Sequence, residues 1–160
     1  MKSIILYSTK HGATKQCAEQ LAKHLEFETT CLNVKEAASL DLNPFDLIIL
    51  GSSVYAGSVQ SEMKAFCKNN QAILPQKKLG IFLCSMFGDE KADQIQMNFG
   101  DLSSTAIVKG YFGGELIFKK LSFFESFLTK VIAKTTTDMN TISQENISKF
   151  ANEINAVLCK

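Results

Sequence analysis

The sequence contains no arginine; all 17 of its basic residues are lysine. That absence excludes chemistry built on a bidentate guanidinium fork, such as an arginine finger or an arginine-based phosphatase loop. Acidic residues number 16, so the formal net charge is +1. A balance this even offers no electrostatic case for nucleic acid, and it disfavours a carrier that docks through strong net acidity. Paired cysteine spacing is also missing. Cys17, Cys31, Cys67, Cys84 and Cys159 are odd in number, widely spaced and without a C-x-x-C pair. This argues against a disulfide framework or zinc knuckle and for a reducing, cytoplasmic setting, with the thiols acting mostly as small buried hydrophobes. The two histidines, His11 and His24, are too few for a metal cluster. Long apolar runs are lacking too. The first run ends at Tyr7, too short for a signal peptide. No run approaches the roughly 20 residues that span a bilayer. The expectation is a soluble protein with a single domain over residues 1–160, since 46% hydrophobic and 21% charged residues suit a packed core.

What is present is an alternation of short apolar runs and helical stripes. Ile4-Ile5-Leu6-Tyr7, Asp46 to Gly51 and Lys78 to Cys84 are continuously apolar at their centres and predict strands buried on both faces. Phe27 to Val34 and Ala106 to Phe112 supply two further strands. Between them, Ala13, Cys17, Leu21 and Leu25 recur at helical spacing. Ser61 to Asn69 predicts a helix with Met63, Phe66 and Cys67 on one face, and Asp89 to Phe99 predicts another. Leu121 to Lys134 reads as a strongly apolar helix. Thr141 to Leu158 closes the chain, with Thr141 and Gln144 spaced as a capping box. Pro44 and Pro75 each fall just before a predicted strand. Strands and helices in this order predict an α/β/α three-layer sandwich around a parallel sheet.

Ligands of open α/β sheets bind beyond the carboxyl ends of the strands. After the first strand, Thr9-Lys10-His11-Gly12-Ala13-Thr14 runs into a helix start. Hydroxyls, backbone amides and a positive helix end make a phosphate site there. Lys10 reads as a solvated charge, and His11 as a backbone donor with its ring toward solvent. After the third strand come Ser53, Val54, Tyr55, Ala56 and Gly57; after the fourth come Ser85, Met86, Phe87 and Gly88. A phosphate loop beside two loops of small residues around one aromatic each suits a flat ring with a phosphate tail. Competing motifs are missing: there is no G-x-x-x-x-G-K-[ST] and no G-x-G-x-x-G after the first strand. There is also no G-x-S-x-G elbow. No acid, base or nucleophile is singled out, so the catalytic list is empty.

Leu6-Tyr7-Ser8-Thr9-Lys10-His11-Gly12-Ala13-Thr14 resembles the FMN phosphate loop of flavodoxins, a Thr/Ser-x-Thr-Gly-x-Thr turn. Thr9, Gly12 and Thr14 match it, and His11 replaces the middle threonine. Within that superfamily the chain is similar to the group containing menaquinone-dependent protoporphyrinogen oxidases. Ile5 to Thr14 matches their first loop, and Gly51-Ser52-Ser53-Val54 matches their Gly-Ala-Ser-Ile loop. The chain departs from them at Tyr55-Ala56, where the oxidases carry Arg-Tyr, and at Phe87-Gly88-Asp89-Glu90, where they carry a basic segment. The resemblance implies a five-stranded parallel sheet of order 2-1-3-4-5, a case for which flavodoxin itself is a standard example. It implies FMN as cofactor, Tyr55 and Phe87 or Met86 as flanking side chains, and a backbone near flavin N5 at Ala56-Gly57. It implies electron transfer from a reduced small substrate to a quinone or other acceptor. The alternatives are an electron carrier serving a redox partner protein, or an interaction module of the same fold with weak FMN binding. Leu121 to Lys134, with Lys119, Lys120, Lys130 and Lys134 around it, could cover the sheet or touch a partner, a quinone or a membrane surface.

Overall fold

The computed structural model describes residues 1–86, 92–122, 125–126 and 137–159. Its strands β1 (Ser3–Ser8), β2 (Thr29–Asn33), β3 (Leu47–Tyr55), β5 (Lys78–Cys84) and β6 (Ala106–Tyr111) lie parallel in the order β2-β1-β3-β5-β6. This is the 2-1-3-4-5 sheet once β4 (Ser58–Val59), which pairs antiparallel with β3, is set aside.

Alternation along each strand divides the core. Ile4, Leu6, Ile48, Leu50, Leu79, Ile81 and Leu83 point to one face. There they meet Met63 and Phe66 of α2 (Ser61–Asn69) and Ile95 and Phe99 of α3 (Ala92–Phe99). Ile5, Tyr7, Leu47, Ile49 and Phe82 point to the other. They meet Cys17 and Leu21 of α1 (Ala13–His24) and Ile147, Phe150 and Ile154 of the last helix (Gln144–Leu158). Strands sandwiched this way have no solvent face, which is why their sequences are continuously apolar. The short helix α4 (Asp101–Thr105) leads into β6, and α5 denotes the last helix below.

Several boundaries differ from expectation. The third strand does not stop at Gly51 but continues to Tyr55 and turns into β4 through Ala56 and Gly57. Both turn residues have positive φ, the pattern of a two-residue type I′ hairpin. Ser52 is accommodated in the strand because its hydroxyl is buried in hydrogen bonds with Ser8 Oγ (2.9 Å) and Gln60 N (3.3 Å). The second strand is shorter than Phe27 to Val34, and α1 ends at His24. Pro44 lies in a turn before β3, and Pro75 in a single turn of 3-10 helix at Leu74–Gln76.

The expected capping box at Thr141 is not formed. Thr141 Oγ1 instead accepts from Gly114 N at 3.1 Å, tying it to another part of the chain. Ser143 caps α5, its hydroxyl accepting from Asn146 N at 3.1 Å. Replacing Ser143 with alanine is therefore expected to cost about 1 kcal/mol in urea unfolding, while Thr141→Ala leaves the cap intact. Between β6 and α5, β7 (Glu115–Leu116) pairs with β8 (Met139–Asn140). Of the helix expected over Leu121 to Lys134, only Leu121, Ser122, Glu125 and Ser126 fall among the described residues. The segment 89–91, expected to open α3, lies outside them, as do Phe87 and Gly88. No helix among the described residues is long and apolar enough to cross a membrane.

Candidate functional site

The sheet register brings three loops to one edge. Ser8 pairs with Ser52, and Ser53 with Cys84, so Thr9, Val54 and Ser85 each follow the last parallel pairing of their strand at one edge. The first loop is closed by Thr9 Oγ1, which accepts from Gly12 N at 2.9 Å and keeps its own proton free to donate. Gly12 caps α1 at φ +103°, and the first turn carries no acidic residue. Only glycine adopts that conformation without strain. Among the described residues, the amides of Ala13, Thr14 and Lys15 meet no acceptor. Thr14 is fully buried, and its hydroxyl stands by the Cys84 thiol without a hydrogen bond of normal geometry. Ser53 Oγ is a second buried hydroxyl without a partner among the described residues. Unpaired amides and a hydroxyl at a helix start fit an anionic, oxygen-rich group such as a phosphate.

The second loop is the hairpin at Ala56-Gly57. Asn98 of α3 holds it from below: Asn98 Oδ1 accepts from Val59 N at 2.9 Å, and Nδ2 donates to Gly57 O at 3.1 Å. Tyr55 is exposed, and Lys10 Nζ lies 4.5 Å from its ring centroid. That contact joins the first two loops by a cation–π interaction. In the third loop, Ser85 N donates to Gly113 O at 3.0 Å, and Met86 lies against Thr141. Ser85 and Met86 therefore stand against the base of the segment between β6 and α5. The structure thus brings together Thr9, Lys10, His11, Gly12, Ala13 and Thr14 with Ser53, Val54, Tyr55, Ala56 and Gly57, and sets Ser85 and Met86 at the same edge.

The first loop has partners that its sequence does not announce. Lys10 is exposed as expected, its side chain 41% accessible, and it also forms an ion pair with Glu125, whose side chain is 10% exposed. His11 does not face solvent: its Nε2 lies 3.5 Å from the same Glu125 oxygen, Oε1. Lys120 Nζ adds a bond to His11 O at 3.3 Å. The other Glu125 oxygen accepts from Ser122 N at 2.9 Å, and Glu125 N donates to Ser122 Oγ at 3.3 Å. That reciprocal pair is a capping box, and the Ser122-x-x-Glu125 spacing was visible in the sequence. Its docking on Lys10 was not, because nothing local relates the two. Glu125, Lys120 and Asn98 are the site residues that sequence reasoning missed.

The Lys10 ammonium, helped by the Ser122 bonds and opposed by burial, pulls the Glu125 carboxyl down to about 2 from 4.5. A depressed carboxylate stabilises the fold above its ordinary range and loses that contribution as pH falls through the depressed value. Glu125→Gln is therefore expected to melt below the unsubstituted protein at neutral pH, with the gap closing between about pH 4.5 and pH 2. Matched melts across that range are the check. Two of the cysteines are poor nucleophiles: burial pushes Cys31 up to about 11 and Cys67 up to about 12. Among the described residues no group of His, Cys, Asp and Glu could hold a metal ion.

Residues 4–143 match the family described as Flavodoxin domain. Among curated proteins, the protoporphyrinogen IX dehydrogenase [quinone] of Escherichia coli (strain K12) is similar, with 24% identity across 96% of this chain and 94% of that protein. The protein of the same name from Leishmania major is 25% identical across 84% of this chain and 63% of its own length. Among solved structures, oxidised Flavodoxin 2 from Bacillus cereus superposes with a TM-score of 0.65 at 18% identity, covering 99% of this chain and 100% of that one. Sheet order, edge loops and family match agree: the chain belongs to the flavodoxin domain family.

Proposed function

We propose that this protein binds FMN at the carboxyl edge of its sheet and works as a redox protein. Its electrons would pass from a reduced small substrate to a quinone or other acceptor. The observation that carries this is the start of α1. There the amides of Ala13, Thr14 and Lys15 and the buried Thr14 hydroxyl lack acceptors among the described residues. The phosphate would take these donors together with the Thr9 hydroxyl proton, and Gly12 would let the backbone approach it. Such a grip is neutral, so a chain without arginine can form it. The isoalloxazine ring would lie against Tyr55 and the Ala56-Gly57 turn, with Ser85 and Met86 at its other flank. When bound, FMN supplies the electron transfer itself. The residues on this edge would orient it: Asn98 fixes where the Gly57 carbonyl points, and Ser53 has a hydroxyl without a partner among the described residues that could serve the bound group.

The relatives' name suggests protoporphyrinogen as substrate and a quinone as acceptor. One observation favours a carrier role instead: Tyr55-Ala56 stand where the oxidases have Arg-Tyr, which leaves the turn without a guanidinium for substrate carboxylates. Purified protein loaded with FMN and supplied with protoporphyrinogen and menaquinone separates the two. Turnover supports the dehydrogenase activity. No turnover, with reversible reduction by a flavoprotein reductase, supports the carrier.

A further inference from the structure

Glu125 does not belong to the loop it touches. It reaches the loop from the segment between β6 and α5 and meets it with a carboxylate. Its Oε1 is paired to Lys10 and faces His11 Nε2 at 3.5 Å, and its neighbour Lys120 bonds the His11 carbonyl. Glu125 is 7% exposed. An anion is thus already held among the charged side chains of a loop built to receive one. We propose, building on the FMN reading above, that Glu125 is an internal competitor of the cofactor's phosphate and sets how strongly this loop favours a phosphorylated flavin over an unphosphorylated one.

Two effects run in the same direction. The carboxylate repels an incoming phosphate directly, and because the Lys10 side chain beside it is 41% exposed, that repulsion is open to screening by salt. It also occupies Lys10, the cation that would otherwise draw the phosphate in. His11 is placed so that either anion can use its ring. Coupling of this kind is reciprocal: if phosphate entry weakens the Glu125 contact, weakening that contact must tighten phosphate binding. The same carboxylate that supports the unliganded fold would then lower affinity for its ligand.

Glu125→Gln isolates the charge, because glutamine also serves in a capping box and keeps the bond from Ser122 N. The full-length protein and this variant would be titrated with FMN and with riboflavin by flavin fluorescence at low salt. The expected result is FMN binding tightened by roughly fivefold or more, riboflavin affinity unchanged within about twofold, and a difference that shrinks at about 1 M salt. Loss of a merely structural contact would weaken both flavins together. FMN bound no tighter by the variant, or both flavins tightened equally, overturns the proposal. If the unsubstituted protein binds neither flavin, the FMN reading fails by itself, and inorganic phosphate becomes the probe. A larger phosphate-dependent rise in melting temperature for the variant, against chloride at equal ionic strength, still supports Glu125 as the competing anion. An equal rise, or none in either protein, rejects it.

Discussion

Replacing Phe82 with alanine is expected to cost about 3–5 kcal/mol of stability, lowering the midpoint of thermal unfolding by roughly 10 °C. Phe82 is fully buried at the centre of β5. Its ring stacks on Phe112 with centroids 4.5 Å apart, and the edge of Phe150 closes the group at 6.3 Å. The ring also fills the space over Gly51 of β3: a Cβ built there would lie 2.5 Å from one ring carbon of Phe82 and 2.7 Å from another. Two consequences separate this packing from ordinary burial. Gly51→Ala alone is expected to destabilise by about 1–3 kcal/mol, since the ring has no room to retreat. Combined with Phe82→Leu it should cost less than the sum of the two, because the smaller side chain vacates the site the methyl needs. Urea unfolding of the four proteins in that cycle provides the numbers; strict additivity would mean the two residues do not share the space.

The second large effect concerns the cofactor. Gly12→Val is expected to weaken FMN binding about a hundredfold, the loss of two amide bonds to a charged phosphate. The cause is backbone conformation alone. At φ +103° a β-branched residue is strained, yet the space around a Cβ at this position is empty. The loop would relieve that strain by rotating, and the amides of Ala13 and Thr14 would no longer converge. Gly12→Ala should give an intermediate loss. Fluorescence titration with FMN measures both, and equal affinity in all three proteins would mean that the loop is not where phosphate binds.

The parts of this protein that were legible in its sequence are those with local causes. Ile4 to Tyr7 and Leu47 to Leu50 are apolar at every position because helices cover both faces of the sheet. Gly12 before Ala13 marks a loop entering a helix, and Thr9 three residues earlier supplies the hydroxyl that closes it. The parts that were not legible are settled by partners far along the chain. Ser52 and Ser53 look like a loop, yet Ser52 stays in a strand because Ser8 and Gln60 satisfy its hydroxyl. Thr141 and Ser143 compete as caps on equal local terms, and Gly114 decides between them by engaging Thr141. Lys10 is exposed as its sequence suggests, but its ion pair could not be read there because the carboxylate that meets it comes from a distant segment of the chain. Helix caps and core stripes repeat a local spacing; contacts between a loop and a distant segment leave no such spacing to find.

On this reading the protein binds one FMN, with the phosphate held at the amino end of α1. The absorbance spectrum of the purified full chain, recorded with added FMN after gel filtration, tests it most directly. A flavin spectrum travelling with the protein at one FMN per chain, shifted from that of free FMN, is the predicted result. Protein that emerges colourless, with all the flavin in the small-molecule fraction, would contradict it.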